Sequence, residues 1–215
     1  MIADYRREFL EFAVQTGVLS FGEFTLKSGR VRPYFLNAGL FNSGRTLTRL
    51  GQFCSAALLD SGLEFDLLFG PAYKGIPLVS ATAIALHLDH GIDVPYAFNR
   101  KEIKNHGEGG QLVGAQLQGK VVIVDDVITA GTAIREVMAI LSRTPVEVTG
   151  ILLAIDRQER GTGDLSAIQE VEREYGVSSV SIVKLKHIID YMESTGQYDK
   201  ELKLVYSYRD EYGTD

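Results

Sequence analysis

The stretch Val121-Val122-Ile123-Val124-Asp125-Asp126-Val127-Ile128-Thr129-Ala130-Gly131-Thr132-Ala133 decides the fold. Four apolar, β-branched residues with no polar alternation read as a strand buried on both faces, the mark of a parallel sheet covered by helices. Two carboxylates close the strand, a loop of small residues follows, and Ala133 to Ser142 reads as a helix. Upstream the same rhythm recurs. Phe65 to Phe69 reads as a strand closed by Gly70-Pro71, Ile76 to Leu88 as an Ala-rich buried helix, and Tyr96 to Phe98 as a strand before a polar loop from Asn99 to Gln111. Downstream come a strand from Val148 to Ile155, a charged helix from Ala167 to Tyr175 and a strand from Val180 to Leu185. The pattern predicts a doubly wound α/β fold with a mainly parallel sheet, in which ligands bind beyond the carboxyl ends of the strands. Chemistry is therefore sought after Phe69, Phe98, Val124 and Ile155.

The ends of the chain do not alternate. A helix over Tyr5 to Gln15, a polar segment from Phe21 to Gly44 holding short strands at best, and helices over His187 to Met192 and Lys200 to Tyr212 are expected to pack as an added layer, while the Leu47 stripe reads as a further helix. We expect one domain over residues 1–215: a hood over about 1–44, the α/β core over about 45–185, and C-terminal helices over about 186–215. The net charge of −6 argues against a generic binder of nucleic acid or anionic membrane, because either needs a positive footprint. The single cysteine, Cys54, cannot form an internal disulfide, which suits a reducing cytosol, and it falls on the apolar stripe of its helix. No signal peptide or membrane span is expected.

Each part of the central stretch has a chemical use. Successive strand side chains face opposite ways, so Asp125 and Asp126 should do different jobs: one reaches sugar hydroxyls or metal-bound water while the other orients its neighbours. Thr129 and Thr132 offer hydroxyls, Gly131 offers backbone freedom, and the helix start offers unpaired N–H groups, which together suit a phosphate monoester. A P-loop reading would need a partner of the form G-x-x-x-x-G-K-[ST], and neither Gly70 to Pro77 nor Gly22 to Ser28 supplies one. Arg100 to His106 carries three fixed cations against Glu102 and runs into Gly107, Gly109 and Gly110, so a hinged basic loop suited to a polyphosphate is expected. Tyr73 and Lys74 lie in a tight turn just past a strand end. Glu159, Arg160 and the acidic run from Glu170 to Glu174 read as solvated surface, and His87, His90 and His187 receive no ligand role.

The thirteen residues from Val121 to Ala133 resemble the 5-phosphoribosyl-1-pyrophosphate (PRPP) motif of the type I phosphoribosyltransferases. Within that family, Phe24 to Arg30 with Pro33 to Asn37, then Gly70 to Pro77, Phe98 to Gly109 and Asp156 to Gly161 resemble its orotate-using branch, in consistent order along the chain. The resemblance implies transfer of a phosphoribosyl group from PRPP to orotate, in pyrimidine biosynthesis, in a cytoplasmic homodimer. It implies that PRPP is held by Lys27, Tyr73, Lys74, Arg100, Lys101, Lys104 and His106 with Asp125, Asp126, Val127, Ile128, Thr129, Ala130, Gly131, Thr132 and Ala133. Lys104 and His106, on an Arg100–Gly110 loop that closes over PRPP in the neighbouring subunit, join Asp125 and Asp126 as the catalytic set. Orotate would lie against Phe35 and Leu36, near Lys27, Thr129 and Arg157, whose planar fork matches a carboxylate or ring carbonyls. Leu36 stands where the branch often has a second Phe. Mg2+ would be bound mainly through PRPP, with water-mediated contact to Asp125 or Asp126 and no certain protein ligand. Two alternatives stay open: a family member acting on a purine base, and a nucleotide-sensing regulator that kept the PRPP fold and binds RNA or DNA.

Overall fold

The computed structural model describes residues 4–26, 29–104, 110–161 and 163–214, apart from the side chains of Ile103 and Lys104. In chain order the elements are α1 (Asp4–Gln15), β1 (Leu19–Thr25), β2 (Val31–Leu36), α2 (Gly44–Ser61), β3 (Leu67–Gly70), α3 (Gly75–His90), β4 (Tyr96–Lys104), β5 (Gly110–Gly114), β6 (Gly119–Val127), α4 (Thr132–Leu141), β7 (Val146–Asp156), α5 (Ala167–Tyr175), β8 (Ser178–Lys184), α6 (Leu185–Thr195) and α7 (Asp199–Tyr212). β1 and β2 form an antiparallel hairpin, and the other six strands form one sheet in the order β5-β4-β3-β6-β7-β8. Every pairing in the larger sheet is parallel except that of β4 with β5.

Strand alternation divides the core into two layers. Leu68, Val122, Val124 and Leu152 point toward α1, α2, α3 and α6, while Leu67, Phe69, Val121, Ile123, Ile151 and Leu153 point toward α4 and α5. Local sequence sets the helix limits. Ser43 and Ser166 each accept a hydrogen bond from the backbone three residues on, in reciprocal capping boxes, and α2, α3, α5 and α6 each end at a left-handed glycine. The hairpin and the C-terminal helices form the added layer: α7 packs on β2, and α1 packs on α6.

One expected loop is mostly strand. β4 continues through Arg100 and Lys101 to Lys104, because β5 pairs with it at the sheet edge from Ala97–Gly114 out to Lys104–Gly110. Arg100 and Lys101 therefore stand on a hairpin arm rather than in a loop. Residues 105–109 of that segment, which include His106, lie outside the described residues, as does Lys27.

Candidate active site

β3 lies between β4 and β6, so the chain leaves β3 toward one edge of the sheet and returns to its other side at β6. A crevice at that reversal, beyond the strand ends, is where a doubly wound sheet takes a ligand. Both predicted turns meet there. Gly70 and Gly75 bracket the first, and a Cβ on either would collide with the other's backbone or with the Pro71 ring, so glycine is what permits the close turn. Buried Asn99 on β4 accepts from the Ala72 N–H at 2.9 Å and ties the turn to the next strand. The Ala72–Tyr73 peptide is cis. Lys74 then spans the crevice, its Nζ 2.9 Å from Asp126 Oδ2.

The two carboxylates differ as alternation requires. Asp126 shares the Val122 and Val124 face, accepts from Lys74, and takes the Val127 N–H on its other oxygen at 2.9 Å. Asp125 shares the Ile123 face, is buried, and accepts from the Asp126 N–H at 2.9 Å. Burial first, and then the neighbouring Asp126 charge, push the Asp125 carboxyl up to about 7.

Beyond Val127 the loop reverses at Gly131, whose φ of +74° favours glycine, and α4 starts at Thr132. Arg135 on α4 holds the loop from behind. Its Nη1 donates to the Ala130 carbonyl at 2.8 Å, while Nε and Nη2 pair with Glu174 and Glu170 of α5. Part of the acidic run read as solvated surface thus fixes this loop.

Two cavities flank the crevice. One of about 340 Å³ lies among Tyr73, Ile76, Asn99, Arg100 and Lys101, with Lys101 Nζ 5.7 Å from the Tyr73 ring centre. The other, of about 670 Å³, is lined by Leu26 and Arg30 of the hairpin, Ile128 and Thr129 of the loop, and Asp156 and Arg157 at the end of β7. Arg157 Nη2 donates to the Ile128 carbonyl at 3.1 Å and lies 3.4 Å from Thr129 Oγ1, so the residues expected to read the base touch the loop expected to hold the phosphate.

Phe35 and Leu36 do not make one wall. Being consecutive in β2 they face opposite ways: Leu36 packs into the core, while Phe35 is exposed beside Phe24, ring centres 5.4 Å apart. Glu159 is also corrected, because it is no surface residue. Its side chain is 7% exposed and accepts from Arg32 Nη2 at 2.7 Å, Tyr34 Oη at 2.9 Å and Arg30 Nη2 at 3.2 Å. Asn99, Arg135 and Glu159 escaped the sequence reading because each acts through a distant partner. His187 keeps a structural role, its Nδ1 accepting from the Lys184 N–H at 3.0 Å, and burial lowers it to about 4.

The residues at this site fit a metal ion that arrives with phosphates. Among the described residues no group of three or more His, Cys, Asp or Glu side chains could hold a metal ion, while Asp125 or Asp126 could reach through water an ion already held by phosphates.

A mainly parallel sheet with two acidic residues and a glycine-containing loop at its reversal point is the fold of the type I phosphoribosyltransferases, and residues 42–182 match the phosphoribosyl transferase domain family. The chain is 61% identical to orotate phosphoribosyltransferase of Vibrio cholerae, over 97% of this chain and 98% of that one, and 60% identical to that of Shewanella oneidensis, over 97% of each. The crystal structure of orotate phosphoribosyltransferase from Francisella tularensis superposes with a TM-score of 0.89 at 41% identity, covering 96% of this chain and all of that one. The chain belongs to the orotate phosphoribosyltransferase family.

Proposed function

We propose that the protein transfers the phosphoribosyl group of PRPP to orotate, giving orotidine 5′-monophosphate and pyrophosphate for pyrimidine synthesis. The observation that carries this is the contact of Arg157 with Ile128 and Thr129 at the rim of the 670 Å³ cavity, which sets a carboxylate-matching fork beside a phosphate loop. The 5-phosphate suits the turn from Val127 to Ala133, where backbone N–H groups open α4. Ribose hydroxyls suit Asp125 and Asp126, and pyrophosphate suits Tyr73, Lys74, Arg100 and Lys101, with Lys104, His106 and Lys27 assigned by family resemblance. As the base nitrogen bonds to the anomeric carbon, the bond to the pyrophosphate oxygen breaks and its electron pair leaves with pyrophosphate. Positive groups aimed at that growing charge, together with exclusion of water, supply the catalysis. Mg2+, bound through the phosphates and touching Asp125 or Asp126 through water, would screen the same charge.

The homodimer has its own support. Ile84 and Leu88 of α3 are exposed and line an apolar groove of about 220 Å³ with Leu47 of α2. That groove runs along the helix whose first turn, at Ile76, lines the pyrophosphate-side cavity, so a second copy seated there could lend its Arg100–Gly110 segment to this site. Hairpin and C-terminal helices serve as the hood over the base. Cys54, a buried free thiol, supports a reducing compartment such as the cytosol. The test is to supply orotate, uracil and hypoxanthine separately with PRPP and Mg2+ and follow base loss. Consumption of orotate alone is expected. Consumption of hypoxanthine would move the protein to the purine-using members, and turnover of no base with salt-sensitive RNA binding would favour the regulator.

A further inference from the structure

Glu159 stands two residues beyond Arg157 and is aimed away from the transfer loop, into the hairpin. Three donors converge on it, from Arg30, Arg32 and Tyr34, all on the strand or turn that returns from the hairpin tip. Arg32 also reaches Tyr208 Oη at 3.4 Å, and Arg30 lies over the Tyr212 ring at 4.8 Å, so α7 joins the cluster. The tip is closed on itself by Leu26 N–H to Arg30 carbonyl at 2.8 Å and Gly29 N–H to Leu26 carbonyl at 2.9 Å. Wherever Glu159 holds Arg30, it therefore also holds Leu26, which lines the same cavity. Arg30, Arg32, Arg157 and Arg160 all line the 670 Å³ cavity, and Glu159 pairs with the first two.

We propose that Glu159 is a positioning residue for the base: it fixes the hairpin tip over the cavity and neutralises two guanidinium groups that would otherwise compete with Arg157 for an anionic ring. This rests on the assignment of that cavity to orotate. Removing the carboxylate should loosen the tip and open a second anion site, so the base binds more weakly and in unproductive poses. Groups on the pyrophosphate side lie across the crevice and are not touched by Glu159.

The test compares wild type with Glu159→Gln, which keeps the shape and removes the charge, and with Arg30→Gln, which removes one donor while Glu159 keeps Arg32. Steady-state KM is read for each substrate, since KM does not depend on the fraction of molecules folded. For Glu159→Gln the orotate KM should rise ~10-fold, a change of ~1.4 kcal/mol, while the PRPP KM stays within about twofold. Inhibition by inorganic sulfate, competitive with orotate at saturating PRPP, should tighten by about the same factor because unpaired guanidiniums bind oxyanions. Arg30→Gln should raise the orotate KM without tightening sulfate inhibition. A merely structural role would move both KM values together and leave sulfate inhibition unchanged. The proposal is overturned if wild type uses orotate and either both variants keep its orotate KM or the two substrates are affected alike. A wild type inactive on orotate would instead remove the base assignment beneath it.

Discussion

Replacing Asp125 by Asn should make the ligand-free protein more stable and less able to use PRPP. Asn keeps an oxygen to accept from the Asp126 N–H and removes only the charge. Burial and the Asp126 charge hold the Asp125 carboxyl at about 7, against 3.8 when unperturbed. A carboxyl whose native pKa stands above its unfolded value binds more protons when folded, so stability is greatest below pH 4 and falls as pH rises toward 7. At ~1.4 kcal/mol per pKa unit, that interval puts the cost of ionising Asp125 in the fold at ~4 kcal/mol above pH 7. Near pH 5 only ~1 to 2 kcal/mol of it has been incurred. Urea unfolding of both proteins at pH 5 and pH 8 reads the difference: Asp125→Asn should exceed wild type at both, with a gap wider by ~2 to 3 kcal/mol at pH 8. PRPP affinity of the variant should fall by ~10-fold or more, since a group held ionised at a cost to stability is kept for binding. A gap that does not change between pH 5 and pH 8 would mean that Asp125 is ionised throughout, and the reasoning would fail.

Other outcomes follow from the same geometry. Lys104→Ala and His106→Ala should each lower turnover ~100-fold or more while PRPP affinity, read by equilibrium dialysis, changes less than ~10-fold; two fully active variants would dismiss the basic arm. Arg135→Met should raise the PRPP KM roughly fivefold and leave the orotate KM nearly unchanged, because the rear support of the Ala130 carbonyl and its tie to Glu170 and Glu174 are lost while the base side is not touched. Gly131→Ala faces both a positive φ and a clash with Arg135 Nη1, and should lower stability by about 1 kcal/mol or more in the urea assay with a parallel loss of PRPP affinity. Glu at both Ile84 and Leu88 should yield a monomer in sedimentation and abolish activity that depends on the partner's loop.

What was legible in the sequence was what is local. The stretch from Val121 to Ala133 carries its strand, its two carboxylates and its phosphate loop in consecutive residues, so periodicity and loop chemistry suffice. β5 was not legible, because Gly110 to Gly114 is short and bounded by glycines, and its identity as a strand comes from pairing with β4 at the edge of the sheet. For the same reason Arg100 and Lys101 read as loop residues. Burial of charge was hidden more deeply. Glu159 looks like surface in its own neighbourhood, and Arg30, Arg32 and Tyr34, more than a hundred positions away, supply the donors that let it be buried. Phe35 and Leu36, grouped at the base by family resemblance, are consecutive in β2, so their side chains face opposite ways.

The central claim is transfer of one phosphoribosyl group to orotate with loss of pyrophosphate, and the most direct measurement follows both ends of that exchange in one sample. Orotate loss by absorbance and pyrophosphate release, recorded together with PRPP and Mg2+ present, should proceed one for one and stop when any of the three is withheld. Pyrophosphate released without orotate loss, or no change with all three present, would contradict it.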